Sequence, residues 1–158
     1  MTPLFCQIQV IAILTSELQF SPRNRAALSL LGYSYFQVQD YGSAADCYDQ
    51  LSKFFRDCDA WNSYKLYHAQ ALYKAGMYQD ALKVLQQIES RDFEDKILQL
   101  QISIQYELEE ITAAKSLIQQ QPVDSAEAIV AQGCMLFKES KFDEARTKFQ
   151  EALNITGY

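Results

Sequence analysis

Leu28-Ser-Leu-Leu-Gly-Tyr-Ser-Tyr35 is followed closely by Tyr41-Gly-Ser-Ala-Ala-Asp-Cys-Tyr48. In the first stretch Leu28, Leu31, Gly32 and Tyr35 recur at i, i+3, i+4 and i+7, which is one face of an α-helix. In the second, Tyr41, Ala44 and Tyr48 mark a face at i, i+3 and i+7. The few residues between them leave room only for a turn between two antiparallel helices. Small residues at Gly32 and Ala44 let the two backbones approach, and the large Tyr48 fills the space beyond them. Such a pair cannot bury its apolar faces alone, so further pairs must stack on it.

Further pairs are present. The pattern Tyr41/Ala44/Tyr48 returns as Tyr78/Ala81/Leu85, Ile111/Ala114/Ile118 and Phe142/Ala145/Phe149, with its alanines 37, 33 and 31 residues apart. Ile129-x-x-Gln132-Gly133-x-x-Leu136 is a weaker copy of the opening signature, and Ala69 and Leu72 hold its Gly and Tyr positions in the second unit. This period is that of the tetratricopeptide repeat. The fold class expected is all-α, an α-α superhelix or tetratricopeptide-repeat solenoid. First helices are expected at 25–39, 63–74, 95–108 and 126–139, and second helices at 42–54, 79–89, 112–120 and 143–154. Gly76 suits a left-handed C-cap, Pro22 and Pro122 stand where helices stop, and Asp124 and Ser125 are N-cap candidates. The chain divides as one repeat domain over 1–158, with a partial repeat at 7–24 and repeats at 25–61, 62–93, 94–124 and 125–158. Val10, Leu14 and Pro22 fit second-helix positions of a preceding unit. Both ends of the solenoid are expected to be open, as in a piece of a longer superhelix able to self-associate through its open repeat ends.

Composition narrows the function. The net charge is −6, which disfavours a phosphate backbone as partner and a polybasic membrane surface. No nucleic acid and no membrane insertion are expected: no stretch reads as long enough and apolar enough to span a bilayer, and the apolar run Ile8–Leu14 lacks a basic flank and a cleavage site. The four cysteines, Cys6, Cys47, Cys58 and Cys134, are scattered, and His68 is the single histidine. No metal site, cofactor or catalytic residue is expected. His68 occupies the apolar position equivalent to Leu31 and reads as a packed histidine. Cys47 lacks the orienting group and oxyanion turn that a nucleophile needs. Glu107, Glu109 and Glu110 read as a solvated cluster. Trp61 reads as a staple from the long connection, Arg56–Asn62, onto a neighbouring unit.

Several segments are more specific than a generic repeat. They are Ser21-Pro-Arg-Asn-Arg-Ala-Ala-Leu-Ser-Leu-Leu-Gly-Tyr-Ser-Tyr-Phe36, Tyr67-His-Ala-Gln-Ala-Leu-Tyr-Lys-Ala75, Gly133-Cys-Met-Leu-Phe-Lys-Glu139 and Asn154-Ile-Thr-Gly-Tyr158. With them the chain resembles the N-terminal portion of the tetratricopeptide-repeat subunit of intraflagellar transport complex B, the fleer family, from about Gln7 to Tyr158. Met1–Cys6 does not match the family's first helix. The resemblance implies a non-enzymatic scaffold of cilium and cytoplasm. It implies wrapping around a proline-rich segment of another core subunit, with a role in cilium assembly and tubulin polyglutamylation.

First helices line the concave face in such repeats. The groove expected from the phase comprises Tyr33, Phe36, Leu66, Tyr73, Leu98, Ile102, Tyr106 and Phe137. Ser29, Gln37, Gln70, Lys74, Val130, Cys134 and Lys138 lie beside them. This apolar and aromatic list suits a polyproline segment, whose rigid backbone lowers the ordering cost. The same stripe could instead be packing. The competing reading is a generic peptide-binding adaptor, chaperone-linked or other, gripping a C-terminal carboxylate. That needs a cationic clamp, and Ser29, Leu30, Tyr33, Tyr67 and Ala131 do not supply one.

Overall fold

The computed structural model describes residues 3–157, and among them it contains nine α-helices and no strand. In chain order they are α1 (Pro3–Phe20), α2 (Arg25–Gln37), α3 (Tyr41–Phe54), α4 (Trp61–Lys74), α5 (Tyr78–Leu85), α6 (Glu94–Glu107), α7 (Ile111–Ile118), α8 (Ala126–Lys138) and α9 (Phe142–Thr156). The all-α, tetratricopeptide-type reading holds, and each expected helix is present. Two second helices stop early. The one expected to reach Glu89 ends at Leu85, and the one expected to reach Gln120 ends at Ile118. Their last turns tighten to i−3 hydrogen bonds, Gln87 N to Val84 O and Gln120 N to Leu117 O, which satisfy terminal carbonyls that have no α-helical partner. Trp61 opens α4 and so lies outside the connection. It still acts as a staple, since its indole Nε1 donates to Ser52 O at 3.0 Å.

One turn is repeated four times. Gln39, Gly76, Glu109 and Ser140 all adopt positive φ, between 61° and 79°. Each stands five residues before one of the four phased alanines. At each, the next residue's N–H reaches back to a carbonyl of the first helix: Asp40 to Tyr35, Met77 to Leu72, Glu110 to Gln105 and Lys141 to Leu136. This is the Schellman closure, which suits glycine because it has no Cβ to clash. Only Gly76 meets that preference. The alanines that follow, Ala44, Ala81, Ala114 and Ala145, are completely or almost completely buried, so a larger side chain there would push the hairpin open. Side-chain caps start three helices: Asn24 accepts from Ala27 N, Asp40 from Ser43 N and Ser125 from Ala128 N. Ser125, not Asp124, is therefore the cap of α8.

Two compact units divide the chain, Met1–Ser90 and Arg91–Tyr158. In the first, α1 packs on α2, α2 on α3, α3 on α4 and α4 on α5, around Leu28, Leu31, Leu51, Leu66 and Leu85. In the second, α6 packs on α7, α7 on α8 and α8 on α9. Its core includes Ile102, Ala114, Ile118 and Met135.

The expectation about membrane length needs correction. Helix α1 is long enough and apolar enough to cross a membrane by length and composition, because Glu17 is its only charged residue. It has no fully buried residue. Gln7, Val10, Ile11, Leu14 and Leu18 are half-buried, and Leu4, Phe5, Ile8 and Ile13 are exposed.

Candidate functional site

In the first unit, α2 and α4 hold an aromatic cavity of about 430 Å³, lined by Ser29, Tyr33, Phe36, Gln37, Tyr48, Tyr64, Tyr67 and Gln70. Helix α2 supplies Ser29, Tyr33, Phe36 and Gln37 at i, i+4, i+7 and i+8, a single stripe. Helix α4 supplies Tyr64, Tyr67 and Gln70 at i, i+3 and i+6. Tyr48 comes from α3 with its ring 5.5 Å from that of Tyr67. Burial raises the Tyr48 phenol to about 12, so it stays neutral and serves as a hydrogen-bonding apolar surface. The Tyr64 hydroxyl accepts from Arg25 Nε at 2.5 Å, which fixes that ring. Tyr33 and Tyr67 are about half exposed. No charged side chain lines the cavity.

The expected groove residues divide into groups. Tyr33 and Phe36 line the cavity. Leu66 is 1% exposed and Ile102 is 6% exposed, so both are core and neither is open to a partner. Leu66 lies in α4, which packs on α3 on one side and α5 on the other. Ile102 stands 16 residues before Ile118, as Gly32 does before Tyr48, Ala69 before Leu85 and Gly133 before Phe149. It therefore occupies the helix–helix contact position and packs with Ile118. A shift of one residue turns a helix by about 100°, and that is the distance between Ile102 and an outward position. Leu98 and Tyr106 also pack against this core. Lys138 sits 4.5 Å over the Tyr106 ring.

Phe36, Tyr73 and Phe137 share another role. Each ring meets the aromatic residue that opens the following helix: Phe36 with Tyr41 at 5.1 Å, Tyr73 with Tyr78 at 5.8 Å and Phe137 with Phe142 at 5.2 Å. They clasp the hairpin turn, and Phe137 remains half exposed while doing so.

Tyr48, Tyr64 and Tyr67 belong to the cavity but not to the expected groove. Tyr48 reads in sequence as filler between helices and performs both tasks. Tyr64 and Tyr67 lie on the same α4 face as Gln70, and that spacing is the signal that could have found them.

His68 is mostly buried, and burial lowers its pKa. Its Nδ1 has no hydrogen-bond partner, and Asp49 Oδ1 lies 3.9 Å away. Burial raises the Cys47 thiol to about 11, which keeps it protonated and unreactive. No cluster of metal-ligating side chains occurs among the described residues.

No protein-family model matches the chain. Intraflagellar transport protein 70A of Xenopus tropicalis is 46% identical to it over 150 residues, covering 95% of this chain and 23% of that protein. The tetratricopeptide repeat protein 30 homolog of Caenorhabditis elegans is 39% identical over 148 residues, covering 94% of this chain and 22% of its own length. Among solved structures, a MamA RS-1 ArsTM double mutant superposes with a TM-score of 0.73 at 14% identity, covering 95% of this chain and 85% of that one. YrrB, a tetratricopeptide-repeat protein with an unusual peptide-binding site, gives a TM-score of 0.67 at 16% identity, covering 94% and 77%. These two likenesses bear on the fold alone. Over 95% of its length the chain is a homologue of the intraflagellar transport protein 70 and tetratricopeptide repeat protein 30 family, and it spans about a quarter of the length of those relatives.

Proposed function

We propose that this chain is a non-enzymatic protein-binding scaffold whose aromatic cavity holds an extended, proline-rich segment of another subunit of intraflagellar transport complex B. The cavity carries the reading. It offers Tyr33, Phe36, Tyr48, Tyr64 and Tyr67 as ring faces, with Ser29, Gln37 and Gln70 as hydrogen-bonding groups. A polyproline helix presents rings and unpaired carbonyls, is already ordered before binding, and suits such a wall. Tyrosine adds contact area at low entropic cost. The names of the relatives support an intraflagellar transport setting; within it the scaffold would act in the cilium and cytoplasm, serving cilium assembly and tubulin polyglutamylation by positioning partners. Catalysis has no part in this role.

The adaptor alternative requires a cationic clamp for a terminal carboxylate, and the cavity lining holds none. A titration of the chain with a proline-rich peptide, run in parallel with an acidic C-terminal peptide, separates the two. Saturable binding of the proline-rich peptide, lost in Tyr33→Ala with Tyr67→Ala while helicity is kept, supports the scaffold reading. Unchanged affinity in that double variant removes the cavity as the site. Binding of the acidic peptide alone, sensitive to those tyrosines, replaces it with the adaptor reading.

A further inference from the structure

A second cavity of the first unit, about 480 Å³, shares no residue with the aromatic one. Its lining is Asp49, Ser52, Lys53, Arg56, Trp61, Lys65, His68, Val84 and Gln87. Trp61, Lys65 and His68 run along α4 at i, i+4 and i+7. Asp49, Ser52, Lys53 and Arg56 follow the end of α3 at i, i+3, i+4 and i+7. The two stripes converge, so three cations meet in a chain of net charge −6.

We infer that this cavity is a site for a phosphate group, with Lys53, Arg56 and Lys65 as its cationic ligands. The charge balance favours a dianion. Asp49 is the only carboxylate in the lining, against three positive charges there, and Asp46 acts on Lys53 from outside it. Asp49 Oδ2 pairs with Lys53 Nζ at 2.6 Å. Arg56 and Lys65 form no salt bridge among the described residues. Lys65 lies 5.5 Å from the centroid of the Trp61 ring, which lends it a partial counter-charge. Burial lowers the Lys65 pKa; the Asp49 carboxylate pulls it back up, and the positive charges of Arg56 and Lys53 lower it further. A bound dianion relieves that repulsion. Arg56 adds a planar fork suited to two phosphate oxygens, and a phosphate ester near pH 7 carries close to two negative charges.

The phosphate can come from solution or from a phosphorylated side chain of a partner. Trp61 is the only tryptophan, so its fluorescence reports on this cavity. The chain is titrated with inorganic phosphate at constant ionic strength against chloride, then with a phosphoserine peptide and its unphosphorylated counterpart. A saturable change with phosphate and none with chloride is expected. Tighter binding of the phosphoserine peptide than of inorganic phosphate assigns the group to a partner, and equal or weaker binding assigns it to free phosphate. Arg56→Gln, at an exposed position, should weaken binding about tenfold, the loss of one charge-assisted hydrogen bond. Asp49→Asn, which removes the competing carboxylate, should tighten it. Tyr33→Ala should leave it unchanged. No saturable response to any phosphate probe, or wild-type affinity in Arg56→Gln with Lys65→Gln, overturns the assignment.

Discussion

Gly133 in α8 faces the ring of Phe149 in α9 so closely that a Cβ on the glycine would lie 2.6 Å from Phe149 Cε1. The same pair occurs in the first unit, where a Cβ on Gly32 would meet Tyr48 Cζ at 3.1 Å. The second repeat solves the same contact differently, with Ala69 and Leu85, both buried. The size of the residue on one helix is thus matched to its partner on the other, which is what close packing demands.

This match can be tested by exchange. Gly133→Leu should lower stability by about 2 kcal/mol, an overpacking cost, read as a fall in the urea or thermal midpoint. Gly133→Ala combined with Phe149→Leu reproduces the Ala69/Leu85 pairing and should recover most of the midpoint lost in Gly133→Ala alone. A double variant no better than that single one would show that the two residues are not coupled.

The four hairpin turns differ in strain. Gln39 holds φ of 64° with a side chain that glycine would not have to accommodate. Gln39→Gly should raise stability by about 1 kcal/mol, and Gly76→Ala should lower it by a similar amount. Chemical unfolding of the two variants checks both signs. A loss of stability in Gln39→Gly would mean that flexibility gained by the unfolded chain outweighs the strain removed.

His68 makes stability depend on pH. Its folded pKa lies below the unfolded value of 6.5 because burial disfavours the imidazolium. Below that value the unfolded chain binds more protons, so stability is full above about pH 6.5 and falls as the pH drops from there through the lowered folded pKa. The carboxylate of Asp49 opposes burial and pulls the pKa back up. His68→Leu, which copies Leu31 at the equivalent position, should flatten the loss between pH 7 and 5. Asp49→Asn should steepen it. Unfolding midpoints across that range decide the matter.

The cysteines should separate by reactivity. Cys6 is exposed on α1, whereas Cys47 is buried with its thiol raised to about 11. At pH 8 iodoacetamide should modify Cys6 rapidly and Cys47 only after unfolding, as followed by peptide mass spectrometry. Equal rates at the two sites would contradict the packing of α3.

The amino-acid sequence by itself determined the helices and their order. The alanine phase at Ala44, Ala81, Ala114 and Ala145 records a contact made inside each hairpin, between residues close in the chain, and local contacts leave a local pattern. The homology was legible for the same reason, through the segments around Gly32, Tyr67 and Gly133. Only the tertiary structure decided which faces stay open. The repeat phase places Leu66 and Ile102 on the groove face of first helices, yet both are buried. Periodicity gives the face of a helix, and the neighbours in space decide whether that face is covered. The cavities follow the same logic. Tyr33 and Tyr67, or Arg56 and Lys65, meet only when α2, α3 and α4 are packed, and no spacing within one helix records the distance between two.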